Sequence, residues 1–268
     1  MISFPNAKIN LGLSIISKRP DGYHNLESCF YPVPWQDILE IIPADKLEFS
    51  STGLEIPGTS EDNLCLKAYH LLKKDFDIPP FHIHLHKVIP MGAGLGGGSS
   101  DAAFLLKMIN EKCELGLNNE QLEQFAAQLG SDCPFFIENK PVLAIGTGTE
   151  LSSIDIDLTG KYLILIKPDV HITTADAYAG ITPKEPVLSI KDIVENHTPG
   201  SWDGILHNDF EDSIFKKHKI IKAVKKKLYE YDALYASMTG SGAAVYGIFK
   251  EKVQINVPED WTVYNCQL

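Results

Sequence analysis

The chain has 268 residues, 44% of them hydrophobic and 22% charged, with a formal net charge of −11. That length builds one large domain or two compact ones, and that composition excludes disordered, collagen-like and disulfide-scaffold classes. The negative balance argues against life on nucleic acid; with Arg19 the one arginine, an anionic ligand has to be held by backbone N–H groups, helix termini and lysines. Residues 4–16 alternate, with Ala7, Ile9, Leu11, Leu13 and Ile15 on one face and Asn6, Lys8 and Asn10 on the other, the period of a strand with a polar face. Pro20-Asp21-Gly22 signals a turn, and a second extended stretch follows over 26–34. Further strands are predicted over 38–42 and 46–50. Asp62 or Asn63 caps a helix running through Leu66, Tyr69 and Leu72, and Phe81 to His86 alternates strictly, as a strand does.

After a glycine cluster, Ser99 opens a helix through Leu105, Met108 and Ile109, and another covers 120–129. A strand over 141–145 closes a first domain, residues 1–153. The second domain, 154–268, opens with a strand over 162–167 and a short helix from Thr174 or Asp176. Pro183 to Pro186 interrupts it. One helix is predicted over 213–231, with Ile221, Val224, Leu228 and Tyr231 as its stripe, and a strand over 243–249 follows Gly240-Ser241-Gly242. Strand runs and helix runs mix without a regular βαβα repeat, which points to a two-domain α+β architecture.

The five cysteines, Cys29, Cys65, Cys113, Cys133 and Cys266, are odd in number and form no CxxC pair, so reduced thiols in a cytoplasmic protein are expected. No leader pattern and no membrane-spanning window is read, and no membrane partner is expected.

Pro90-Met91-Gly92-Ala93-Gly94-Leu95-Gly96-Gly97-Gly98-Ser99-Ser100 lies between a predicted strand and a predicted helix. Its glycines permit positive φ and close approach of backbone to ligand, while successive N–H groups and a helix N-terminus supply positive partial charge. This is a phosphate cradle on physical grounds. It contains no GxxxxGK[ST]. Gly92, Gly94 and Gly97 satisfy GxGxxG, but Glu111 and Glu114 do not close a following strand as a dinucleotide site requires. Taken alone, Lys8 with Asn6 and Asn10 reads as a solvated strand face, Asp132 in Gly130-Ser131-Asp132-Cys133-Pro134 as a turn residue, His82, His84 and His86 as a solvated outer face, and the lysines over 216–227 as a solvated helix face.

Together, Pro5-Asn6-Ala7-Lys8-Ile9-Asn10-Leu11 with Asp21-Gly22-Tyr23-His24, the loop 90–100, Gly130-Ser131-Asp132-Cys133-Pro134 and Thr239-Gly240-Ser241-Gly242-Ala243 resemble the ordered motifs of the GHMP kinase superfamily. The match runs over residues 5–249. Within the superfamily, the Ala-Lys-Ile-Asn-Leu and Asp-Gly-Tyr-His motifs are similar to those of members acting on a cytidine-diphosphate-linked methylerythritol.

The resemblance implies a ribosomal-protein-S5-domain-2-like nucleotide domain, a ferredoxin-like C-terminal domain, ATP with Mg²⁺, and phosphorylation of the substrate's C2 hydroxyl for non-mevalonate isoprenoid synthesis. It sets Lys8 and Asp132 on the catalytic pair, Pro90 to Ser100 on the ATP-phosphate loop, and Asn63 and Lys87 beside the adenosine. Asn10, Tyr23, His24, Thr174 and Tyr178 fall on the cytidine-diphosphate side, with Gly240 and Ser241 approaching the substrate. The metal ligands stay open; Ser99 or Ser100 offers an oxygen and Asp101 is close in sequence. A monomer or weak homodimer is expected. The alternatives are a GHMP kinase of the homoserine or mevalonate type and a nucleotide-binding regulator without turnover.

Overall fold

The computed structural model describes residues 1–268, with every side chain but that of Ser60. In chain order the strands are β1 (Ile2–Ser3), β2 (Asn6–Lys18), β3 (His24–Gln36), β4 (Ile38–Pro43), β5 (Glu48–Gly53), β6 (Phe81–Lys87), β7 (Val142–Gly146), β8 (Glu150–Ser153), β9 (Tyr162–Lys167), β10 (Tyr235–Met238), β11 (Val245–Phe249) and β12 (Thr262–Gln267). The helices are α1 (Leu64–Lys73), α2 (Gly97–Lys112), α3 (Asn119–Ala127), α4 (Phe135–Glu138), α5 (Thr174–Tyr178), α6 (Ile190–Asn196), α7 (Glu211–Lys217) and α8 (Lys219–Glu230). Among the described residues no helix is long and apolar enough to cross a membrane.

The chain forms two compact units, and neither is one continuous stretch. The first takes residues 1–7, 35–91 and 96–140; the second takes 8–34, 92–95 and 141–268.

In the first unit the sheet order is β1-β4-β6-β5, with β4 antiparallel and β5 parallel to β6. Along β6 the alternation is as the sequence predicts: Phe81, Ile83 and Leu85 are buried and the three histidines half-buried. Ser50 Oγ bonds His82 Nε2 at 2.7 Å and His84 Nδ1 at 2.8 Å, so the histidines lie against the β5 hydroxyls and are not simply solvated. Among the described residues no group of three or more His, Cys, Asp or Glu side chains is placed to hold a metal. Asn63, not Asp62, caps α1, its Oδ1 accepting from Cys65 N at 2.8 Å. Helix α2 begins at Gly97, two residues before the predicted Ser99, behind a left-handed Gly96 that has no side chain to cap it.

The second unit holds two sheets, β2-β3-β7-β8 and β10-β11-β9-β12. Strands β10 through β12 pair antiparallel throughout, and Ile221, Val224 and Leu228 of α8 enter one core with Leu13, Ile15, Leu26, Ile164, Ile166 and Val245. The helix predicted over 213–231 is two helices, broken at His218, whose φ of −122° and ψ of 76° are not helical. No Gly or Pro announces that break. Sequence reading passed over β10, β12 and α6, although Ser189, which accepts from Asp192 N at 2.9 Å, with Ile190, Ile193 and Val194 buried behind it, is a legible helix start.

Candidate active site

Strand β2 carries the polar face that composition alone assigns to solvent, and the structure buries it: Asn6 is 6%, Lys8 3% and Asn10 2% exposed. A buried polar row needs partners. Lys8 Nζ donates to Asn10 Oδ1 at 2.6 Å and lies 4.6 Å from the Phe30 ring centroid. Asn10 Nδ2 donates to Ser28 Oγ at 2.8 Å, and Ser28 Oγ donates to Gly12 O at 2.6 Å. The solvated-face reading of Lys8 and Asn10 is therefore replaced by a hydrogen-bonded network.

Thr239 joins that network to the glycine loop. Its hydroxyl accepts from Asn10 N at 3.0 Å and faces two acceptors, Gly94 O at 3.0 Å and Asn10 Oδ1 at 3.2 Å. The loop backbone is held from both sides, by Lys8 N to Leu95 O at 2.9 Å and by Ala244 N to Ala93 O at 3.2 Å. Gly94 has a φ of +77°, and a Cβ there would overlap the carbonyl oxygen of Thr239, so geometry and space both demand glycine. Asn208 fixes the Thr239–Gly242 turn, donating to Met238 O at 2.8 Å and Gly240 O at 2.9 Å and accepting from Phe210 N at 3.0 Å. Thr239 was legible as part of a glycine motif, whereas nothing in the sequence marks Asn208 or Ser28.

The residues assigned to the cytidine side lie in this second unit. Asp21 Oδ1 accepts from Tyr23 N at 3.0 Å, which holds the Asp21 carboxyl below its ordinary range, with Arg19 adding to the effect. The turn so closed presents Tyr23 with 67% of its surface exposed. His24 and Tyr178 stack, ring centroids 4.8 Å apart and planes 24° from parallel, and Phe210 meets Tyr178 edge-on at 4.9 Å. Thr174 is exposed at the start of α5; Thr173, not Thr174 or Asp176, is the cap, accepting from Asp176 N at 3.1 Å. Gly240 and Ser241 are half-buried.

In the first unit, Asp132 is half-buried in the turn before α4. Burial pushes the neighbouring Cys133 thiol up to about 12, so it is a neutral packing group, and its hydrogen bond to Ser99 ties the Asp132 turn to the first turn of α2. A cavity of about 100 Å³ opens beside that turn, lined by Ile56, Pro57, Asn63, Leu64, Lys87 and Gly98. Asn63 and Lys87 thus meet there, although Lys87 is 2% exposed and its ammonium is paired with the buried carboxylates of Asp37 and Asp101, the latter at 2.7 Å. Burial pulls Lys87 down, and the two carboxylates more than offset it, leaving it raised. Burial pushes the Asp101 carboxyl up to about 7, Lys87 opposing and Asp37 adding to the rise. A divalent cation at Asp101 would face the Lys87 ammonium, which disfavours Asp101 among the candidate metal ligands. Ser100 Oγ and Asp101 Oδ1 are buried without a hydrogen-bond partner.

A model of the GHMP kinases N-terminal domain matches residues 63–140, and one of the GHMP kinases C-terminal domain matches 190–262. Fold and loop together define a small-molecule kinase of the GHMP class. A protein of Cytophaga hutchinsonii named 4-diphosphocytidyl-2-C-methyl-D-erythritol kinase is 53% identical over 267 residues, 99% of this chain and 98% of its own. A kinase of the same name from Bacteroides thetaiotaomicron is also 53% identical, covering 97% of this chain and 96% of its own. The crystal structure of a 4-(cytidine 5'-diphospho)-2C-methyl-D-erythritol kinase matches with a TM-score of 0.81 at 30% identity, over 92% of this chain and 90% of that one. The chain belongs to the 4-diphosphocytidyl-2-C-methyl-D-erythritol kinase family.

Proposed function

We propose that the protein transfers the γ-phosphoryl group of ATP to the C2 hydroxyl of 4-diphosphocytidyl-2-C-methyl-D-erythritol. The observation that carries this reading is the buried Lys8–Asn10–Thr239–Gly94 network, which ties a cationic side chain to a glycine loop shaped for phosphate. Phosphoryl transfer is mainly positioning and charge stabilisation, and the loop N–H groups with the uncapped α2 N-terminus supply the latter. Asp132 accepts the hydroxyl proton as the new O–P bond forms and ADP leaves, and the positive charge of Lys8 favours loss of that proton. The stack of His24 on Tyr178 beside the exposed Tyr23 supports an aromatic cytosine site.

The hydroxyls of Ser99 and Ser100, the latter buried without a partner, would each offer one oxygen towards Mg²⁺, which would neutralise charge on the phosphates. Residues 1–153 are proposed as the ATP-binding and catalytic domain and 154–268 as the C-terminal domain, in a cytoplasmic monomer or weak homodimer with no nucleic-acid partner.

ADP release measured in parallel with the cytidyl substrate, homoserine and mevalonate tests this reading. Turnover is expected with the first alone and is lost in Lys8→Ala. Equal turnover with homoserine overturns the substrate, and ATP binding without turnover on any acceptor makes the protein a regulator.

A further inference from the structure

Lys87 ends β6 on the inward side of its alternation, so its ammonium is buried and is satisfied by two carboxylates. Asp37, Lys87 and Asp101 are all at most 2% exposed, with a net charge of −1 when all are ionised. A buried ion group of this kind is poor value as a stabiliser, since well-packed apolar isosteres often do as well. Its geometry shows a more specific use. Asp37 Oδ1 accepts from Val88 N at 2.6 Å and Ile89 N at 2.9 Å, the last backbone donors before Pro90 opens the glycine loop. Lys87 then joins Asp37 to Asp101, which lies in α2 just beyond the loop. Gly97, the first residue of α2, rests directly on this group: a Cβ there would come within 3.0 Å of both Lys87 Nζ and Ile89 Cγ2.

We propose that Asp37, Lys87 and Asp101 form a positioning triad that fixes the two flanks of the glycine loop for the phosphates of ATP, so that Lys87 acts on the nucleotide through the loop and not by touching adenosine. The proposal rests on the ATP-kinase reading above. The link from Asp37 to Asp101 runs through the Lys87 ammonium beside a direct hydrogen bond between the two carboxyls, and removing both contacts releases one flank from the other. Lys87→Met alone leaves two buried carboxylates face to face and endangers folding. Lys87→Met with Asp101→Leu keeps the group at −1 while removing every side-chain link to Asp37, and Asp101→Asn alone keeps an acceptor for Lys87 and so keeps the bridge.

The experiment is steady-state kinetics on the full chain with both substrates varied, beside thermal melting and calorimetric ATP binding. In the double variant the KM for ATP is expected to rise at least about tenfold more than in Asp101→Asn, with the KM for the cytidyl acceptor within about twofold, since a loop displaced by about 1 Å costs up to ~10²-fold. Equal ATP parameters in the two variants overturn the proposal. So does a double variant that fails to melt cooperatively, or one in which both KM values and the melting temperature move together, because each marks a purely structural role. Wild-type protein that does not bind ATP sinks the kinase reading and the proposal with it; wild-type binding with unaffected variants sinks the proposal alone.

Discussion

Asp132 occupies a turn that local composition assigns to chain reversal and the ordered motifs to catalysis, with the neutral Cys133 thiol fixing it to Ser99. Replacing it with asparagine keeps the shape and removes the proposed base, so kcat should fall roughly 10²–10⁴-fold while calorimetric ATP affinity is retained; wild-type turnover in that variant would refute the base assignment. Asp101 makes a prediction of a different kind. Its folded-state value of about 7 lies above the ordinary 3.8, so the folded chain holds a proton that the unfolded chain releases. The stability from that bound proton is fully present below the unfolded value and is lost as pH rises through about 7. Asp101→Asn, neutral at every pH, should therefore gain stability relative to wild type as pH is raised from about 4 to 8. Urea unfolding of both proteins across that range reads the difference, and a difference independent of pH contradicts the assignment.

At the scale of elements, the glycine loop depends on a partner segment distant in sequence. Thr239 follows β10 and meets Asn10 of β2 and Gly94 of the loop, so one hydroxyl holds three stretches of chain. Thr239→Val conserves shape but leaves the buried Asn10 N–H without its acceptor, a cost of about 1–3 kcal/mol. For a chain of this size that lowers the melting temperature by about 2–4 °C per kcal/mol, with Thr239→Ser close to wild type. A valine variant that melts with the wild type would show the hydroxyl to be dispensable. Most elements were legible because their periodicity is local: β6 alternates and α1 has its Asn63 cap. The start of α2 was misjudged because a serine cap is the usual signal, and here a left-handed glycine takes the place. The break at His218 has no local cause in composition.

Across the whole molecule, the proposed division at 153/154 and the packing of the chain are different things. Leu13, Ile15 and Leu26 share a core with Ile164, Ile166 and Val245, so residues 154–268 expressed alone lack part of their own interior. That fragment should show no cooperative melt by circular dichroism; a sharp transition would make the C-terminal stretch an independent folding unit. The net charge of −11 is compatible with the proposed anion-binding role because the positive potential it needs is local, in loop N–H groups, a helix start and Lys8. By itself the sequence pointed to the class of ligand, since a cluster of five glycines between a strand and the body of a helix offers a phosphate cradle through backbone chemistry alone, and its ordered motifs carried the family. Only the tertiary structure decided what Lys8, Asn10 and Lys87 are. Burial turns a polar strand face from a solvated surface into a network, and pairs a lysine expected beside adenosine with carboxylates; the partners, Thr239, Ser28, Asp37 and Asp101, are mostly far away in sequence. Hydrogen-bond satisfaction of buried groups is a property of three-dimensional neighbours, and no local pattern encodes it.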